Sequence, residues 1–183
     1  MKFTELPVAG AWLIEAEPFV DERGLFRRDF CRDEFTAHGL DPNVAQGNVS
    51  ENPRRGTLRG IHFQHAPYRE SKTLSCVTGR VYDIVVDLRP ASPTFLKWTS
   101  LELSAKAGDS LYVPAGCGNA WLTLEDNTNV HYYMASMYEP GRDGGVRYDD
   151  PLFGFTWPMA PAVISAKDRF YPDFDPKTLS RGD

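Results

Sequence analysis

The chain has 183 residues, a formal net charge of −5, and 13% aromatic against 25% charged residues, enough apolar material for a core without staples and the wrong composition for a disordered, collagen-like or coiled-coil chain. Lys and Arg form no cluster dense enough to track a phosphate backbone, and no stretch approaches the roughly 18 apolar residues of a membrane span, so neither nucleic acid nor membrane is an expected partner. The three cysteines, Cys31, Cys76 and Cys117, are odd in number with no CxxC spacing, and the N-terminus has no unbroken apolar signal core; both point to reduced thiols in a cytoplasmic protein.

The 15 Gly and 14 Pro imply many turns and few long helices. The stretch up to about Asp29 can supply an extra edge strand, and because edge strands need covering, a homodimer is expected. Asp29 to Gly39 suits a short helix closed by Gly39. Strand signals follow at Thr57–Gln64, Lys72–Val77, Val81–Arg89, Leu111–Pro114 and Val130–Ser136. Turn residues separate them at Asn52-Pro53, Thr78-Gly79, Arg89–Pro93, Ala107–Asp109 and Glu125–Asn127. In Val81–Arg89, Tyr82, Ile84, Val86 and Leu88 take one face, and Val81, Asp83, Val85 and Asp87 the other. Ser165-Ala-Lys-Asp168 has capping-box spacing and starts a second short helix. The proline-punctuated tail after Pro172 should lie over the surface. The sum is one mostly antiparallel β domain over residues 1–183, a sandwich or barrel.

Few side chains offer chemistry. On Thr57–Gln64, strict alternation puts Leu58, Gly60, His62 and Gln64 on one face, a small polar lining suited to a cavity, and Arg59, Ile61 and Phe63 on the other. His62 and His65 point to opposite faces, so with His131 they make no metal set, and a metal-dependent oxygenase is disfavoured. Tyr132 is either a packed tyrosine or a general acid. Lys72 either ends a strand in solvent or stabilises an oxyanion. Asp168 either caps a helix or fixes a histidine tautomer. Arg23, Arg27, Arg28, Arg54, Arg55 and Arg59 suit a small phosphate ligand better than a long polyanion. Taken singly, packing or solvation explains each residue adequately. There is no GxGxxG, no GxxxxGK[ST] and no GxSxG.

Read together, the motifs resemble the dTDP-4-dehydrorhamnose 3,5-epimerase family of cupin-fold sugar-nucleotide epimerases. The matches run in order: Asp21–Arg27, Gln46–Ser50, Gly56–Gln64, Lys72, Gly79–Arg89, Ser92–Phe95, Tyr132, Tyr138-Glu-Pro140, Asp149-Asp-Pro151, Trp157-Pro158 and Ser165–Asp168. The resemblance implies a jelly-roll (cupin-like) fold with a few short helices, a homodimer, a nucleotide-sugar substrate, and no metal or organic cofactor. It assigns His62 as general base, Asp168 as its orienting partner, Tyr132 as general acid on the opposite sugar face, and Lys72 as stabiliser of the C4 enolate oxygen. Gln46, Asn48 and Arg59 would bind sugar and diphosphate, with Asn119 and Tyr138 also at the substrate. Arg23 and Phe26 would reach the base, across the dimer interface. Where the family reads Pro-x-Gly-x-x-His-Gly-Phe, this chain has Pro114-Ala-Gly-Cys-Gly-Asn-Ala-Trp121, which puts Asn119 in a histidine's place on what reads as a loop. The expected activity is epimerisation of a nucleotide-linked 4-keto-6-deoxyhexose at C3 and/or C5. The alternatives are epimerisation at one carbon, or a silent sugar-nucleotide-binding protein.

Overall fold

The computed structural model describes residues 1–179. In chain order its strands are β1 (Lys2–Glu5), β2 (Trp12–Glu15), β3 (Phe19–Asp21), β4 (Gly24–Phe26), β5 (Gln46–Asn52), β6 (Thr57–Gln64), β7 (Lys72–Thr78), β8 (Arg80–Asp87), β9 (Trp98–Ser104), β10 (Ser110–Val113), β11 (Cys117–Thr123), β12 (Thr128–Met134), β13 (Asp143–Gly145) and β14 (Val163–Ile164). Two short helices, α1 (Arg32–Ala37) and α2 (Ala166–Arg169), complete the regular structure with a 3₁₀ turn at Pro176–Thr178. The first sheet has the order β1-β2-β10-β7-β12-β5 and the second β13-β6-β11-β8-β9, with β14 added in parallel on β6. The other ladders are antiparallel. The architecture is a mostly β sandwich, and among the described residues neither sheet closes into a barrel.

Period-2 burial makes the sandwich. Val81 and Val85 of β8 enter the inter-sheet core beside Leu74, Leu111 and Val130, while Val86 and Leu88 join a second cluster with Ile61, Phe63 and Phe153. That second cluster is roofed by the C-terminal chain. Phe174 and Leu179 pack into it, and Trp98 Nε1 donates to the Phe153 carbonyl at 2.9 Å. The tail thus covers a sheet face, as its aromatic residues favour. Helix α1 buries one residue, Phe35, against Ile14 and Tyr112, and Gly39 ends it at a φ of +71°. That left-handed value is why glycine closes this helix.

Two sequence expectations are overturned. Residues 117–123 are not a loop but β11, hydrogen-bonded to β6 on one side and β8 on the other. Its Cys-Gly-Asn-Ala composition hides the strand, because small residues admit close neighbours: a Cβ on Gly118 would lie 2.8 Å from Ile61 Cγ2. Secondly, strict alternation fails in β6. Asn119 pairs with His62 but Trp121 pairs with Arg59, a register shift that inserts one residue. Arg59 and His62 therefore point inward together, with Ile61 outward. Gly60 makes the bulge possible, with φ at +113° and a would-be Cβ only 2.6 Å from the Asn119 carbonyl oxygen. No other residue type fits both constraints.

Candidate active site

One end of the sandwich interior is polar, and both sheets contribute to it. On the first sheet Gln46, Met134 and Lys72 form a row across β5, β12 and β7, with Asn48 opposite Tyr132 in the next row. On the second sheet His62 and Asn119 are direct partners, with Gln64 two residues beyond His62. A cavity of about 230 Å³ lies between, bordered by His62, Gln64, Glu70, Lys72, Tyr132 and Tyr138 among others. A hollow of about 380 Å³ adjoins it past His62, bordered by Arg59, Ser165 and Asp168.

His62 Nε2 lies 2.6 Å from Asp168 Oδ1. The other carboxyl oxygen accepts the Gly60 N–H at 3.3 Å. Ser165 caps α2 by accepting the Asp168 N–H at 3.1 Å, so the spacing serves a cap as expected, while the Asp168 carboxylate is directed to the histidine. Burial pushes that carboxyl up, but the bonds from His62 and Gly60, with the His62 charge, outweigh it and hold it below its ordinary value. A carboxylate on Nε2 fixes the proton there and leaves Nδ1 as the basic nitrogen.

Tyr132 faces this dyad from the other sheet, its ring 5.9 Å from that of Trp121. Burial raises its phenol, with the Arg59 charge opposing, so the group is protonated at neutral pH and able to give a proton. Lys72 Nζ donates to Asn119 Oδ1 at 3.2 Å and lies 3.2 Å from Glu70 Oε1. Asp83, on the inner face of β8, is fully buried, and among the described residues neither of its carboxyl oxygens closes a hydrogen bond. Burial pushes it well above the usual carboxylate range; the Lys72 charge and the nearby Asn119 amide offset only part of that.

Of the other sequence-singled residues, Arg59 Nε donates to Asn52 Oδ1 at 2.8 Å and borders the adjoining hollow. Gln46 Oε1 accepts the Tyr138 N–H at 2.7 Å, and the Tyr138 hydroxyl donates to Asp143 at 3.1 Å. Arg23 and Phe26 stand apart on the β3–β4 hairpin, where Phe26 is 73% exposed and Arg23 pairs with Asp21. This chain alone does not bring them to the His62 cavity.

Glu70, Asp83 and Lys167 escaped the sequence reading. Asp83 carried a usable signal, a charge between Val81 and Val85 on the core-facing register of an apolar strand. Glu70 stands two residues before Lys72, the spacing of side chains on one side of an extended chain. Lys167, at the edge of both hollows and bonded to Asp143, had no signal beyond its adjacency to Asp168. Among the described residues no group of three His, Cys, Asp or Glu side chains could hold a metal ion, and no helix is long and apolar enough to cross a membrane.

A carboxylate-bound histidine and a phenol on facing sheets, with an ammonium lining the same cavity, suit proton transfer, and the comparisons with known proteins give the class, an isomerase built on a β sandwich. The model of the dTDP-4-dehydrorhamnose 3,5-epimerase family matches residues 5–176, and the chain belongs to that family. A relative from Streptomyces griseus named dTDP-4-dehydrorhamnose 3,5-epimerase is 43% identical over 169 residues, 91% of this chain and 84% of the relative. The Bacillus anthracis enzyme of that name, solved with TDP and PPi bound, superposes with a TM-score of 0.91 at 35% identity, covering 94% of this chain and 99% of its own. A 3′-monoepimerase from Streptomyces bikiniensis, in complex with dTDP-quinovose, gives 0.85 at 37% identity, covering 91% and 85%.

Proposed function

We propose that this chain epimerises a dTDP-linked 4-keto-6-deoxyhexose at C3 and C5, in the biosynthesis of a deoxysugar. The observation that carries this is the cavity itself: a carboxylate-bound histidine on one sheet, a protonated tyrosine on the other, and a lysine between. The C4 ketone acidifies the flanking C–H bonds, so His62 Nδ1 can take the proton from either. The electron pair moves into an enolate whose oxygen meets the Lys72 ammonium. Tyr132 then delivers a proton to the opposite face, inverting the carbon. Asp168 keeps His62 in the tautomer that starts the cycle. Gln46, Asn48, Asn119 and Tyr138 surround the sugar, and Arg59 suits the diphosphate.

The finer architecture belongs to the same reading: a cupin-like jelly roll, the 183 residues forming a single domain. We further read the protein as a homodimer. The β3–β4 hairpin exposes Phe19, Val20, Leu25 and Phe26, an apolar projection suited to a second copy, where Arg23 and Phe26 would meet the partner's nucleotide. Free Cys31, Cys76 and Cys117 fit a reducing, cytoplasmic setting.

Proton NMR in D₂O with dTDP-4-keto-6-deoxy-D-glucose tests the function, following the C3 and C5 signals separately. Loss of both signals is expected. Loss of one alone would make this a single-carbon epimerase, a reading favoured by Asn119 in place of the family's histidine. Bound substrate with no exchange would mean a silent binder.

A further inference from the structure

Two side chains from opposite walls hold the Lys72 ammonium. Glu70, on the segment entering β7, places Oε1 3.2 Å from Nζ. Asn119, on β11 of the facing sheet, accepts from Nζ at 3.2 Å. Lys72 is 9% exposed, Glu70 5% and Asn119 3%, so water competes weakly for either contact. Glu70 is itself fixed, because its Oε2 accepts from Gln64 Nε2 at 2.7 Å. The same Gln64 nitrogen donates to the Tyr68 carbonyl at 3.0 Å, and Gln64 Oε1 accepts the Glu139 N–H at 2.8 Å. Both ends of that amide are engaged, which leaves Glu70 little freedom to turn.

We infer that Glu70 is a positioning residue for the epimerisation: with Asn119 it aims the Lys72 ammonium at the oxygen that turns negative when a proton leaves the neighbouring carbon. The inference rests on the epimerase reading above. An ammonium has three N–H bonds on a flexible four-carbon stem. One hydrogen bond to the Asn119 amide and an ion pair to the Glu70 carboxylate, drawn from opposite walls, restrict where the ammonium sits and leave N–H for the cavity before substrate arrives, the preorganisation that gives such a donor its effect. Asp83, though close enough for its charge state to feel Lys72, makes neither an ion pair within 4 Å nor a hydrogen bond with it among the described residues.

C3 and C5 flank one C4 oxygen. A misdirected ammonium therefore slows exchange at both carbons by a common factor, whereas a loosened cavity wall has no reason to affect them alike. Glu70→Ala should lower kcat for exchange about 10- to 100-fold with KM within about threefold, the size expected for one charge-assisted contact felt mainly in the transition state. Glu70→Gln, which keeps an acceptor and nearly the same shape, should lose only about 3- to 10-fold, and it keeps the test open should the alanine variant fail to fold. Against a Lys72→Met background, Glu70→Ala should add no further loss.

Full additivity of Glu70→Ala with Lys72→Met, or a rise in KM at unchanged kcat, would overturn the inference. A second readout is independent of turnover: the ¹⁵N ammonium signal of Lys72 should be protected from water exchange in the wild type and lost in Glu70→Ala. Wild-type protein that exchanges neither carbon would sink the epimerase reading. In that case a Lys72 signal that persists in Glu70→Ala overturns the positioning role as well, and its loss upholds the geometry.

Discussion

Asp83 and Asp87 lie four residues apart on the same face of β8, both fully buried, and their surroundings could hardly differ more. Asp87 is saturated. It accepts from the Arg89 N–H and Nε at 3.0 and 2.8 Å, from Arg89 Nη2 at 2.7 Å, and from the Ser92 and Thr94 hydroxyls at 2.5 and 2.6 Å. Burial raises its carboxyl, but those donors outweigh burial and keep it below its ordinary value. Asp83 closes no hydrogen bond among the described residues and is driven the other way. Partners, and not depth, set the charge of a buried carboxyl. The closed network ties the turn after β8 to the Ala9 carbonyl through Arg89; Asp83 instead lies within reach of the Lys72 charge, beside the polar end of the interior.

If that division is right, substitutions should separate rate from stability. The largest effect belongs to the open end: His62→Asn should reduce C3 and C5 proton exchange by about 10²- to 10⁴-fold, the usual contribution of a general base, while the thermal midpoint stays near that of the wild type. Asp87→Asn should do the reverse, lowering the unfolding free energy by about 3 kcal/mol because the Arg89 guanidinium loses its counter-charge. Its kcat below the melting range should stay within about twofold. Equal loss of rate and stability in either variant would break the contrast.

The same substitution at Asp83 should shift stability at low pH by less than about 1 kcal/mol, since the native group is already neutral there. Its signature is the pH dependence. An unfolded carboxyl ionises near about 3.9. Asp87 is depressed in the folded state, so its contribution is full above that value and is lost as pH falls through its folded pKa. Asp83 is raised, so its contribution falls as pH climbs past the unfolded value, where only the unfolded chain ionises. Urea titrations from about pH 2 to pH 7 should show Asp83→Asn abolishing the alkaline-side decline and Asp87→Asn abolishing the acid-side loss. Asn119→His should have the smallest effect, a change of about two- to tenfold in KM or in the C3:C5 exchange ratio. No change in either would make the substitution structural drift.

Much of this was legible in the sequence where local pattern and tertiary environment agree. The β8 alternation sorted Val81 and Val85 from Val86 and Leu88 correctly, and Tyr132 faces inward with Val130 and Met134 as period 2 requires. Asp168 was readable as a possible partner for a histidine, and His62 as part of a polar lining. The strand around Asn119 was illegible because glycine and alanine carry no strand signal, and only ladders on both sides make them one. Arg59 was placed on the wrong face of β6 for a related reason: a bulge changes the count, and a bulge is a property of two strands.

Sequence by itself determined which residue types were present, their alternation within each strand, and the ordered motifs that carry the family resemblance, because those depend on local chemistry and spacing alone. Tertiary structure decided which charges are partnered. Asn119 on Lys72, Asp168 on His62 and, among the described residues, Asp83 with no hydrogen bond are long-range or cross-wall outcomes, set by register and sheet packing. In a buried site those partnerships, through desolvation and hydrogen bonding, determine which groups can hold, give or take a proton.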